Sequence, residues 1–171
     1  MSVIPFRRRW IPYMFFNANY ILMGIQLFVY ILTIVAKSLP GYLALSLFDV
    51  SQSHYWWQLL TWFFTEINLW ALVFNLLGLF FFGSQVEHEM GSIQYLLFYV
   101  LVSMLGGVLS LVVFALSGAD NLQLYGAGIS VLAVMLAFAV LYPDTIIYLM
   151  GIVPLRAPIL VLVYVGLEIL M

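Results

Sequence analysis

Long apolar runs separated by short polar stretches divide the chain into about five segments of helical length. The pattern predicts membrane-crossing helices over Asn17–Ala36, Leu59–Gly83, Ile93–Leu116, Gly126–Tyr142 and Leu155–Met171. Each is within a few residues of the roughly 20 that a helix needs to cross about 30 Å of hydrocarbon. The last two are at the short end and are expected to sit inside a bundle or to cross steeply. Arg7, Arg8 and Arg9 ahead of the first run have the look of a signal peptide. The run is too long for one and no small-residue cleavage site follows it, so an uncleaved anchor is expected. Residues 1–16 then form a cytoplasmic N-terminal segment and residues 17–171 a single transmembrane domain.

The stretch joining the first two predicted helices, residues 37–58, is unusual for a water-exposed loop. It carries Tyr42, Leu43, Leu45, Leu47, Phe48, Tyr55, Trp56 and Trp57. Aromatic residues of this kind favour the membrane–water interface. The loop is expected to fold onto, or partly into, the outer leaflet; the plainer alternative is an aromatic belt above the second helix.

Composition strengthens the membrane reading. The 171 residues are 66% hydrophobic and 7% charged, with a mean hydropathy of +1.16. Soluble domains average roughly 45–50% apolar and about 25% charged, so this chain lacks the charge to cover a water-facing surface. The fold class is an all-α polytopic membrane protein. A net charge of −2, with no basic stripe beyond Arg7–Arg9, gives no reason to expect a nucleic-acid partner. The absence of cysteine excludes disulfides, thiolate metal sites and cysteine catalysis. Cations set the expected orientation. With Arg7–Arg9 in the cytoplasm, Lys37, Asp49 and Asp120 fall outside, and Glu87, His88, Glu89, Asp144 and Arg156 inside. Four of the five cations are then cytoplasmic, and Met171 emerges on the outer side.

Specific motifs begin at the second predicted helix. Trp57-Gln58-Leu59-Leu60-Thr61-Trp62-Phe63 leads through Phe74-Asn75-Leu76-Leu77 to Phe82-Gly83, then Val86-Glu87 and Gly91-Ser92. Further on come Gly106-Gly107, Tyr125-Gly126-Ala127 and Leu141-Tyr142-Pro143-Asp144. No single marker is specific, but together they fix a register. From about Tyr20 onward the chain resembles the rhomboid family of intramembrane serine proteases. The resemblance implies a rhomboid-like helical bundle with an interfacial first loop.

The departures from the family pattern bear on chemistry. Counting back from Pro143, the family's nucleophilic Ser falls on Gly128 and the Gly after it on Ile129. Counting back from Asn75, the His that helps hold the oxyanion falls on Ala71, and the earlier His on Glu66. The loop Arg becomes Gln58. The resemblance puts the general base on a sixth helix, whereas five are read here. A serine protease needs a hydroxyl nucleophile, a base within reach and donors aimed at the oxyanion. Gly128 and Ala71 supply none of these. His54 and His88 lie outside the predicted bundle, and a substitute dyad of Ser130 with His54 is disfavoured. Ser130 lies about 200° around the helix from Gly128, and a back-bonded Ser facing another helix is its ordinary reading. Several positions change together, which points to natural loss of catalysis and not to a single knock-out.

The remaining polar residues are given structural roles. Asn75, Glu87 and Gln58 are expected to bridge neighbouring helices or loops; Glu87 resembles a family Glu that ties the cytoplasmic ends together, with a solvated carboxylate as the alternative. Glu66 and Glu168 lie within predicted spans, where an acid costs about 2.5–3.5 kcal/mol on insertion scales and usually faces protein or water. Gly126, Ala127 and Gly128 are candidates for contact with a partner helix, against the plainer reading of packing within the bundle; Glu66 and Glu168 are further candidates, with a hydrated or protein-bonded Glu66 and a Glu168 that snorkels to the interface as the plainer readings. Glu87-His88-Glu89 are adjacent and make a poor metal site. No metal or cofactor is expected. The leading expectation is a rhomboid-like pseudoprotease in a prokaryotic cytoplasmic membrane. It would act as a scaffold or complex subunit that holds another protein's transmembrane segment among the lipids. The alternative is a rhomboid-family intramembrane serine endopeptidase with a displaced nucleophile, or with its His supplied outside this chain. A channel or transporter is disfavoured, since the chain has no inverted repeat.

Overall fold

The computed structural model describes residues 14–118, 122–143, 146–149, 153–156, 161 and 164–166. Eight α-helices appear in this part: α1 (Ala18–Val35), α2 (Leu39–Leu43), α3 (Leu47–Gln52), α4 (Gln58–Thr61), α5 (Leu69–Gly78), α6 (Ser84–Met90), α7 (Ser92–Ser117) and α8 (Gly128–Leu141). A 3₁₀ turn over Trp62–Phe64 follows α4, and a π-helical turn over Leu79–Gly83 joins α5 to α6. Two short antiparallel pairs complete the described fold. Strand β1 (Leu45–Ser46) pairs with β2 (Gln123–Leu124), and β3 (Ile146–Leu149) pairs with β4 (Val153–Arg156).

Among the described residues, three helical runs are long and apolar enough to cross a membrane: Ala18–Val35, Leu69–Met90 and Ser92–Ser117. Helix α8 has 14 residues, about 21 Å at 1.5 Å per residue, so it is shorter than the hydrocarbon. It is buried accordingly. Val131, Val134, Met135 and Phe138 pack against α7, α5 and the π-helical turn. The centre of the bundle is aromatic, with Trp62, Phe63, Tyr95, Tyr99 and Phe138 all essentially enclosed.

The first, third and fourth predicted helices match α1, α7 and α8 within about two residues. The second is corrected. In place of one helix over Leu59–Gly83, the chain forms α4 and the 3₁₀ turn, then an extended linker over Thr65–Asn68, then α5. Thr65 has φ −96° and ψ 108°, which is extended and ends the turn. Asn68 then caps α5 by accepting the Trp70 N–H at 2.9 Å. The same helical run continues past Gly83 to Met90, and Glu87 near its end makes the contacts described below. The last predicted helix is also corrected at its start, since Leu155 and Arg156 belong to β4. Val161 and residues 164–166 are helical. The rest of that segment, with Glu168, lies outside the described residues, as do Arg7–Arg9, Asp120 and Asp144.

The residues between α1 and the linker form a set of short elements, with Tyr42, Phe48, Trp56 and Trp57 about half exposed. Gln58 pins this region. It is fully buried; its Oε1 accepts the Ser46 N–H at 3.2 Å, and its Nε2 donates to the Tyr42 carbonyl and the Asp49 carboxylate.

Polar residues hold the helices together at three levels. At one end, Glu87 Oε1 and Oε2 accept the Ala18 and Asn19 backbone N–H groups at 2.6 and 3.0 Å, and Oε1 also accepts the Ser92 hydroxyl. These two amides open α1, so a carboxylate from α6 caps a different helix where the dipole favours negative charge. One layer in, Asn19 accepts the Tyr95 hydroxyl at 2.7 Å and donates to the Leu79 carbonyl at 2.8 Å. That carbonyl opens the π-helical turn, so the irregular turn has its partner on α1. In mid-bundle, Gln26 Nε2 donates to the Tyr99 hydroxyl at 2.8 Å, and the Ser103 and Ser130 hydroxyls are 2.5 Å apart. These links join α1, α7 and α8.

Candidate functional site

The family resemblance directs attention to the start of α8 and the facing side of α5. Gly126, Ala127 and Gly128 are buried there, with Ala127 as the residue preceding the helix. Gly126 has φ +97°, a left-handed value that residues with a Cβ rarely adopt. A Cβ added at Gly126 would also lie 2.7 Å from Glu66 Oε1. The φ value favours glycine whatever the space, and the close approach is made by the end of one neighbouring side chain.

That neighbour is the Glu66 side chain, 4% exposed. Glu66 Oε1 accepts the Ala127 backbone N–H at 2.9 Å and the Asn75 amide N–H at 2.6 Å. The carboxylate therefore sits at the N-terminus of a 14-residue helix, where orphan amides and the helix dipole stabilise an anion. Asn75 is itself buried, and its Oδ1 accepts the Tyr164 hydroxyl. Backbone contacts fix the other side of the linker, where the Glu66 carbonyl accepts the Thr33 hydroxyl at 3.3 Å and the Trp62 carbonyl accepts the Gly126 N–H at 3.1 Å. Tyr125, beside this turn and outside the helix, has its phenol pushed above the usual range by burial, so it stays neutral.

A carboxylate accepts hydrogen bonds and offers no nucleophilic hydroxyl. Here it takes up a backbone N–H and a side-chain amide that converge on one point. Gly128 contributes no side chain. Ala71 lies one turn before Asn75 on α5 and carries only a methyl group. Ser130 is 1% exposed and turned to Ser103 on α7. It is bonded across helices and not to its own backbone; Ser103 is the back-bonded one, donating to the Tyr99 carbonyl at 2.6 Å. His54 is exposed, has φ 61° and packs edge-on against Trp56. No contact joins it to Ser130. His88 packs edge-on against Phe15 near the other end of the bundle.

The structure thus brings Glu66, Asn75, Gly126, Ala127 and Gly128 together, and puts Gln58 and Glu87 elsewhere in enclosed structural roles. Gly126, Ala127, Gly128 and Glu66 are buried, which favours the reading of packing within the bundle over a surface for a partner helix. Ile129, 36% exposed, is the residue of that stretch that reaches the bundle surface. Glu66, expected within a span, is corrected: it lies in the extended linker and not in a helix. Asn19, Gln26 and Thr33 were not singled out from the sequence, although their spacing of seven in an apolar helix marks one face. Among the described residues, no group of three or more His, Cys, Asp or Glu could hold a metal ion.

A family model described as a Rhomboid domain matches residues 53–171. Neither the curated proteins nor the solved structures give a match.

Proposed function

The chain belongs to the rhomboid family of integral membrane proteins, and from that premise we propose that it is a pseudoprotease. It uses the inherited bundle to hold a transmembrane segment of another membrane protein, as a scaffold or complex subunit. One observation carries this reading. Where the family resemblance calls for a serine and oxyanion donors, Gly128 supplies no nucleophile, and the Ala127 N–H is occupied by the Glu66 carboxylate. An oxyanion forming there would meet acceptor oxygens already holding the nearby donors, which opposes acyl transfer. The displaced-nucleophile alternative is disfavoured, because Ser130 is buried on α8 against Ser103 of α7 with no imidazole in contact.

A helix with Ile129, Leu136 and Val140 exposed along one side (36%, 49% and 71%) offers the partner a face on α8. The purified chain, beside an active rhomboid as control, is expected neither to label with a serine-directed fluorophosphonate nor to cleave a generic transmembrane substrate. Labelling that disappears in Ser130→Ala would overturn the pseudoprotease reading. In the native membrane, photocrosslinkers at Ile129 and Leu136 should capture one and the same protein, and one at Leu27 on α1 mainly lipid. Lipid alone at every position, with a monomer in mild detergent, would sink the scaffold role.

A further inference from the structure

A groove of about 290 Å³ lies at the Lys37 end of α1, away from the Glu66 cluster's carboxylate. Tyr30, Thr33 and Ile34 line it from the last turns of α1, Lys37 and Pro40 from the turn and α2, and Ile67 from the linker. The groove owes its shape to the linker, since Thr33 donates to the Glu66 carbonyl one residue before Ile67. The single Thr33 hydroxyl proton is shared with the Tyr30 carbonyl at 2.7 Å, so no donor is left there for a ligand. The polar groups left to a ligand are the Lys37 ammonium and the Tyr30 phenol. Lys37 is exposed and is the only Lys or Arg between residues 14 and 143. No carboxylate among the described residues pairs with it.

Below this cation the walls are apolar and open. Ile34 and Ile67 are 59% and 57% exposed on either side. The apolar face continues along α1 through Ile31 and Leu27, at spacings of three and four residues, and both are about half exposed. A cation with no carboxylate partner among the described residues, at the end of a membrane helix and above a hydrocarbon-lined track, matches one amphipathic shape. We infer that this groove is a binding site for an anionic phospholipid, with the phosphate at Lys37 and an acyl chain between Ile34 and Ile67. A bare anion would satisfy Lys37 and leave the apolar track empty. A zwitterionic lipid would fill the track but offer less net charge to the ammonium, and one Lys near a membrane surface is worth about 1 kcal/mol of attraction to anionic lipid, or about fivefold in affinity.

The test uses the full chain purified in mild detergent and acyl-labelled fluorescent phosphatidylglycerol or phosphatidylcholine, read by anisotropy. Phosphatidylglycerol should bind more tightly. Lys37→Gln should weaken it about fivefold and leave phosphatidylcholine unchanged, while Lys37→Arg retains the preference. Ile67→Trp, which fills the groove, should weaken both lipids. Equal binding of the two lipids, or an unchanged affinity in either Lys37→Gln or Ile67→Trp, would overturn the site. Displacement of phosphatidylglycerol by millimolar inorganic phosphate would reassign it as a simple anion site.

Discussion

The Glu66 carboxylate accepts the Ala127 backbone N–H at 2.9 Å, joining residues 61 apart in the sequence. That bond holds the linker before α5 against the start of α8. The left-handed Gly126 lies beside it, and the linker itself separates two stretches of helix. At the place where the family resemblance puts its chemistry, this bond ties the linker to α8.

Removing the carboxylate should loosen the joint. Glu66→Ala leaves the Ala127 N–H and the Asn75 amide without their acceptor, a loss of about 2–4 kcal/mol. Glu66→Gln keeps an oxygen in place and should lose about half as much. Equilibrium unfolding in a mixed-micelle titration measures both. Gly126→Ala should also destabilise, and less so in a Glu66→Ala background, because the contact that its Cβ would meet is then gone. Additivity of the two substitutions would show that the close approach does not matter.

The paired glycines of α7 should respond differently to the same change. A Cβ at Gly107 would lie 2.8 Å from the Nε1 of Trp62 and 3.0 Å from Leu45, both fully buried. Gly107→Ala should therefore cost about 1–3 kcal/mol by overpacking. At Gly106 the nearest atom is the Ile129 Cγ2, also at 2.8 Å, but Ile129 is partly exposed and has room to move. Gly106→Ala should cost less than about 1 kcal/mol. Thermal unfolding of the two variants should reproduce the order, and the reverse order would contradict the packing described.

Glu87 should matter more than its place near a helix end suggests. Glu87→Ala leaves the Ala18 and Asn19 amides and the Ser92 hydroxyl without an acceptor, at a cost of about 2–4 kcal/mol. A double-mutant cycle with Ser92→Ala should give a coupling of about 0.5–3 kcal/mol, because the two groups share a hydrogen bond. Hydrogen exchange should quicken first at the opening amides of α1. Unchanged protection there would contradict the capping role.

Restoring a serine should not restore a protease. Gly128→Ser puts a hydroxyl at the start of α8, but Ala71 remains a methyl group and Glu66 remains on the Ala127 N–H. Fluorophosphonate labelling is expected to stay at the background of the unaltered chain. Labelling by Gly128→Ser alone would mean that a base and an oxyanion site are present after all.

Much of the bundle was legible in the sequence, because apolar runs of membrane length leave little choice of structure. Helices α1 and α7 were readable to within about two residues. The second helix was not, for a physical reason. The run from Trp57 to Phe64 is as apolar as a spanning segment, and only bonds from distant residues to Thr65–Asn68 show that it ends outside the long helix. Glu66 looked like an acid inside a span for the same reason. Gly128 and Ala71 could be located through the family register, but nothing local to Glu66 reveals that it reaches the start of α8. The two-residue pairing of Leu45–Ser46 with Gln123–Leu124 is too short to carry a period. By contrast, Asn19, Gln26 and Thr33 do carry one, and a search for polar residues seven apart would have found the face of α1 that meets Tyr95 and Tyr99.

Glu87 also constrains the order of events during synthesis. The Ala18 amide and the carboxylate that accepts it are 69 residues apart, so α1 leaves the ribosome well before its cap exists. Until α6 arrives, the first amides of α1 have only water or lipid headgroups as partners. The finished start of the first helix is therefore a late product of assembly, and a chain interrupted before residue 87 would present that end unsealed.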